Sequence, residues 1–141
     1  NENVCQNLAV YGVRTDGMAQ EYISMPESVV VKIPENMSFE RGAFIEPAAV
    51  AVGAIRRCGE VRGKNLVVLG AGPIGNLVAQ VAIADGANVL ITDVNEKKLE
   101  LAKECGISAV RNTINTDLKN VIADEFGEAG ADPDPTARSS L

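Results

Sequence analysis

The sequence predicts an α/β fold built on a parallel sheet, and three observations predict it. Two short apolar runs, Asn65-Leu66-Val67-Val68-Leu69 and Val89-Leu90-Ile91-Thr92, have the length and branched content of buried strands. Between them runs a helical stretch, Pro73 to Asp85, opened by Gly70-Ala71-Gly72-Pro73-Ile74-Gly75. Strand, helix and strand in that order, with short connections, make a right-handed βαβ unit.

The remaining elements follow from local chemistry. Residues 1 to about 34 read as loop and short strands: Gly12 and Gly17 punctuate turns, and Ala19 to Ile23 and Val29 to Ile33 read as extended. Ser38 is placed to cap a short helix over Phe39 to Ala43. Pro47 is placed to start a longer one through Arg57, whose small residues Ala48, Ala49, Ala51, Gly53 and Ala54 permit close packing. Arg56 and Arg57 suit its C-terminal dipole end, and Gly59 and Gly63 mark the turn into the first strand. Beyond the second strand, Asn95 caps a helix over Glu96 to Cys105 that turns Leu99, Leu101 and Ala102 toward the sheet. Ala109-Val110-Arg111 predicts a third strand, and Asp117 to Phe126 a third helix with Leu118, Val121 and Ile122 inward. Gly127 to Leu141 has Gly, Pro, Asp and Ser but no apolar strand, and is expected to be a disordered tail.

Composition narrows the function classes. At 141 residues and 46% hydrophobic the chain can bury one ordinary core. A net charge of -6 and a pI near 4.7 argue against nucleic acid and anionic membranes as partners, since both need a basic face. No apolar run approaches the roughly 20 residues of a membrane span, and no signal peptide is visible, so a cytoplasmic location is the expectation. Cys5, Cys58 and Cys105 are odd in number and widely spaced, which fits neither a disulfide framework nor a complete metal knuckle. The chain has no histidine, the residue on which proton relays and most catalytic zinc sites depend.

The glycine run carries the chemistry. Gly70 allows the tight turn out of the strand, Gly72 lets backbone approach phosphate oxygens, and Gly75 lets the helix pack on the sheet. Pro73 costs nothing at a first helical position, and the helix N-terminus, near Ile74, offers free N–H groups to a pyrophosphate. Asp93 ends the second strand roughly 18 residues beyond Gly75, close to the spacing of a carboxylate that reaches the adenosine ribose. No arginine follows to hold a 2′-phosphate, so NAD is preferred over NADP. The competing reading is a loop glycine cluster beside a helix-capping Asp. The order of strand, turn, helix, strand and acid weighs against it.

Several separated motifs fall in one order: Cys5-Gln6-Asn7-Leu8, Asp16-Gly17-Met18-Ala19-Gln20-Glu21-Tyr22, Glu46-Pro47-Ala48-Ala49-Val50-Ala51-Val52, the glycine run and Asp93. From Asn1 to about Glu128 the chain resembles the zinc-dependent medium-chain alcohol dehydrogenases, in particular the polyol, butanediol and threonine dehydrogenase branch. The resemblance implies a partial doubly wound Rossmann sheet over residues 46–126, preceded over residues 1–45 by a short β-rich remnant of a GroES-like catalytic domain, with residues 127–141 as tail. It also implies oxidation of a secondary alcohol or polyol to a ketone, with NAD as cofactor and zinc in the intact enzyme.

Residue by residue, Glu46 of the Glu-Pro pair matches the acid that serves many members as a catalytic-zinc ligand or as partner of the zinc-bound water. Taken alone, it is a carboxylate favoured by a helix dipole. Cys5 resembles the last of four structural-zinc cysteines, with its three partners upstream and absent. Lys98 stands where the family places a basic residue near the adenosine ribose, and a solvated helix-face lysine is the bland reading. Cys58 and Cys105 match no family ligand and are expected to be buried as small hydrophobes. The family's catalytic cysteine, histidine and proton-relay hydroxyl have no counterpart here, so no catalytic residue is assigned. The expectation is an incomplete oxidoreductase segment, inactive by itself, that keeps the cofactor half-site and self-associates. The alternative is a non-catalytic nucleotide-binding or assembly module.

Overall fold

A computed structural model describes residues 6–128 of the chain. The tail expected from Gly127 onward therefore lies almost wholly outside the described residues, as does Cys5. Packing divides the chain into two units between Met37 and Ser38.

The second unit is a three-stranded parallel sheet with helices on both faces. In order it contains α1 (Phe39–Ala43), α2 (Ile45–Arg57), β1 (Asn65–Leu69), α3 (Pro73–Ala84), β2 (Asn88–Asp93), α4 (Glu96–Glu104), β3 (Ala109–Asn112) and α5 (Leu118–Phe126). The strands lie in the order β1-β2-β3, so each helical crossover returns the chain to the neighbouring position. Register is set by the period of two along each strand. Val68 of β1 lies beside Ile91 of β2, which lies beside Val110 of β3, and this row packs with Ala79, Ala82, Leu99 and Ala102 of α3 and α4. The adjacent row, Val67, Leu90 and Ala109, points the other way and meets Val121, Ile122 and Phe126 of α5. Leu90, Ile91, Leu99 and Ile107 are the largest fully buried side chains, each contributing about 1.5–3 kcal/mol on removal from water.

The helix boundaries have local causes. Ser38 accepts from the Arg41 N–H at 3.3 Å and starts α1, as its position predicts. Asp117 accepts from Lys119 N–H at 2.9 Å and starts α5. Helix α2 begins at Ile45, two residues before the expected Pro47, because Phe44 keeps helical dihedrals between α1 and α2. Leu101 departs from expectation: it is 53% exposed, while Leu99 and Ala102 alone form the inward stripe of α4.

The first unit differs more. Residues 19–23 and 29–33, expected as strands, pair with nothing among the described residues; the unit holds one isolated bridge, Tyr11 with Thr15, and a 3-10 turn at Glu27–Val29. The branched residues do favour extended backbone, and Val30 has it at φ -111, ψ 134. An extended run without a neighbour has no ladder to join, and Val31 is left 88% exposed.

Candidate dinucleotide site

The three glycines of the turn after β1 answer three different demands. Gly70 sits at φ +101, a backbone that side-chain-bearing residues rarely adopt, and its N–H donates to the Thr92 carbonyl at 2.7 Å. That bond ties the turn to the carboxyl end of β2. Gly75 is required by contact: a Cβ there would stand 1.9 Å from the Gly70 carbonyl oxygen. Gly72 is required by neither, since its φ of -68 suits any residue and, beyond its own chain neighbours, nothing lies within 4 Å of where its Cβ would be. The open space in front of Gly72 is the kind a closely approaching ligand needs.

Helix α3 starts at this point. Pro73 occupies its first turn, and the first backbone bond runs from the Asn76 N–H to the Gly72 carbonyl at 2.9 Å. The N–H groups of Ile74 and Gly75 come before that bond and have no partner within the helix. With the positive dipole end they favour an anion.

Asp93 closes the other side. Its Oδ2 accepts from the Ala71 N–H at 2.8 Å, its Oδ1 accepts from the Asn95 N–H at 2.9 Å, and Lys98 Nζ stands 3.7 Å from Oδ2. The bond from Asn95 holds this carboxyl below its ordinary pKa, helped by the Ala71 N–H and by the Lys98 charge, against the opposing effect of burial. Asn95 is the N-cap residue of α4 but caps nothing with its own side chain. An ionised carboxylate has about four acceptor positions, so two backbone bonds leave room for ribose hydroxyls.

Gly70, Asp93, Leu69, Thr92, Val94, Thr113 and Leu118 line a cleft of about 290 Å³ at the carboxyl ends of the strands. In open α/β sheets that edge is where ligands bind. The sequence motifs locate Gly70 and Asp93 but not Thr113 or Leu118. Those two arrive through the pairing of Asp93 with Asn112, which no local pattern encodes.

Of the two zinc candidates, Cys5 lies outside the described residues, and Glu46 stands in no group of donors among them. Glu46 is exposed in the first turn of α2, and among the described residues no three His, Cys, Asp or Glu side chains form a metal-binding group. The described residues therefore do not fit a zinc ion. Cys58 and Cys105, expected to be buried, are both exposed free thiols. Each follows the last residue of a helix, at the cap of α2 and of α4, where the chain turns outward.

A parallel sheet opened by a glycine turn, with an acid at the end of its second strand, defines a Rossmann-type α/β segment. A family profile described as zinc-binding dehydrogenase matches residues 73–133. The L-threonine 3-dehydrogenase of Escherichia coli is 40% identical over 123 residues, covering 86% of this chain and 36% of that protein. An Escherichia coli alcohol dehydrogenase solved with NADH superposes with a TM-score of 0.78 at 35% identity, over 86% of this chain and 37% of that one. A zinc-binding dehydrogenase from Sinorhizobium meliloti solved with NADP gives 0.81 at 32% identity, over 89% and 37%. The chain belongs to the zinc-dependent medium-chain alcohol dehydrogenase family and spans little more than a third of the length of these relatives.

Proposed function

We propose that this chain supplies the NAD-binding segment of an oxidoreductase that interconverts a secondary alcohol or polyol and a ketone. The observation that carries the reading is Asp93, held against the fingerprint turn by the Ala71 N–H with Gly72 open in front of it. In this reading Gly70, Gly72, Pro73, Ile74 and Gly75 cradle the pyrophosphate. Asp93 accepts the adenosine ribose hydroxyls, and Lys98 lies beside them.

Bound NAD would supply the hydride acceptor for oxidation of the carbinol carbon. The residues of this chain do the binding: helix α3 neutralises pyrophosphate charge, and Asp93 orients the ribose and repels a 2′-phosphate. No step through zinc is derived, because the described residues assemble no donor set for it. The relatives include one solved with NADH and one with NADP, so cofactor choice in this chain rests on Asp93.

Calorimetric titration with NADH tests the reading. Weak but saturable binding is expected, lost in Gly72→Val, whose side chain would fill the pyrophosphate space. Equal affinity in the two proteins would remove the assignment. Self-association belongs to the same proposal, since Leu69, Val94 and Ile114 leave apolar surface exposed around the strand ends, and sedimentation equilibrium reads it directly.

A further inference from the structure

A second concavity lies against α2, α3 and α4 and starts at the glycine turn, where Ala71, Gly72, Pro73 and Lys98 line one end of it. Phe44 and Pro47 of the α1–α2 corner, Leu77 of α3 and Leu101 of α4 give it apolar walls, and it encloses about 410 Å³. That volume is within the range of small-molecule sites. Leu101 and Phe44, both more than half exposed, face this groove.

One polar residue in the wall is out of balance. Asn76 is 5% exposed; its Oδ1 accepts from Gln80 Nε2 at 2.7 Å, and its Nδ2 is buried with no partner among the described residues. The group left over is a donor, so what satisfies it is an acceptor. At the groove rim stands the exposed thiol of Cys105.

We propose that the groove between α2, α3 and α4 is a binding site for a small apolar molecule carrying a carbonyl or similar acceptor, with its apolar body on Leu77, Leu101 and Phe44 and its acceptor matched to Asn76. The groove adjoins the dinucleotide reading at Gly72, Pro73 and Lys98, and the two are read separately: NADH titration reports the glycine turn, and the labelling ratio below reports the wall at Leu77, Leu101 and Asn76.

Cys105 reports occupation, and Cys58, outside the groove, is the internal reference. The probe is N-phenylmaleimide, an apolar ring with two carbonyls. The sulfur of Cys105 adds to its C=C, forming an S–C bond as the π bond breaks, and the thiol proton ends on the neighbouring ring carbon. Iodoacetamide, too small and polar to use the groove, calibrates intrinsic reactivity. Peptide mapping gives the labelling rate at each cysteine. The ratio of Cys105 to Cys58 is expected to rise about tenfold from iodoacetamide to N-phenylmaleimide, the scale expected from burying one phenyl ring. Leu101→Asp, at a position 53% exposed, should abolish the rise, and Asn76→Leu should reduce it. The same ratio with both reagents, or a rise untouched by Leu101→Asp, overturns the site; a rise untouched by Asn76→Leu overturns the acceptor match.

Discussion

The Asp93 carboxylate accepts a 2.8 Å hydrogen bond from the backbone N–H of Ala71, 22 residues earlier in the chain. One side chain thereby joins the end of β2 to the turn that leaves β1. The same carboxylate receives the Asn95 N–H at the start of α4, so two backbone bonds bring the end of β2, the turn after β1 and the start of α4 together at one group. A residue read from sequence as a ligand contact is also a structural clasp.

Replacing Asp93 should separate these roles. Asp93→Asn keeps the shape but removes the charge-assisted acceptor, and is expected to cost about 1–3 kcal/mol in urea unfolding. Asp93→Ser should in addition narrow the preference for NAD over NADP in parallel titrations. Tight NADP binding by the unmutated chain would place the ribose elsewhere.

Acid should weaken the fold through the same residue. A carboxyl whose folded pKa is depressed contributes stability that is fully present above its unfolded value, roughly 3.9, and is lost as pH falls through the folded value. Urea midpoints from pH 6 down to 3 should therefore fall most steeply below about pH 4. Exposed Glu40, lowered by its own backbone N–H and by Ser38, acts in the same direction. The Asp93→Asn protein isolates the Asp93 share, because its profile should be flatter than that of the parent.

The glycines should divide by mechanism. Gly75→Ala forces a Cβ onto the Gly70 carbonyl and should destabilise by about 1–3 kcal/mol or more. Gly72→Val meets open space at an ordinary φ, so its melting should stay within about 0.5 kcal/mol of the parent while NADH binding disappears. Equal stability losses in the two variants would contradict the assigned roles.

Core packing offers a control unrelated to ligand. Leu90 is fully buried in the row between Val67 and Ala109, and Leu90→Ala should cost about 2–5 kcal/mol by thermal or urea unfolding. The loss should appear equally with and without NADH.

Metal content provides the last expectation. With Glu46 exposed and no donor group of three among the described residues, the purified chain should hold no stoichiometric zinc, and chelator dialysis should leave its melting temperature unchanged. About one zinc per chain retained through dialysis would reveal ligands assembled in another way.

Much of the second unit was legible in the sequence because its signals are local. Apolar runs mark β1 and β2, Ser38 and Asp117 supply caps, and Gly70 to Gly75 followed by Asp93 mark the strand-end edge, each within a few residues of the element it defines. Tertiary structure decided what depends on a partner distant in sequence. The branched residues of 29–33 found no neighbouring strand among the described residues, and Leu101 and Cys105 faced outward while Leu99 and Ala102 filled the space beside the sheet. Residue type sets backbone preference and local hydrogen bonding. Register between strands, and which side of a helix finds something to pack against, set the clasp at Ala71, the cleft at Thr113 and the unpaired amide of Asn76.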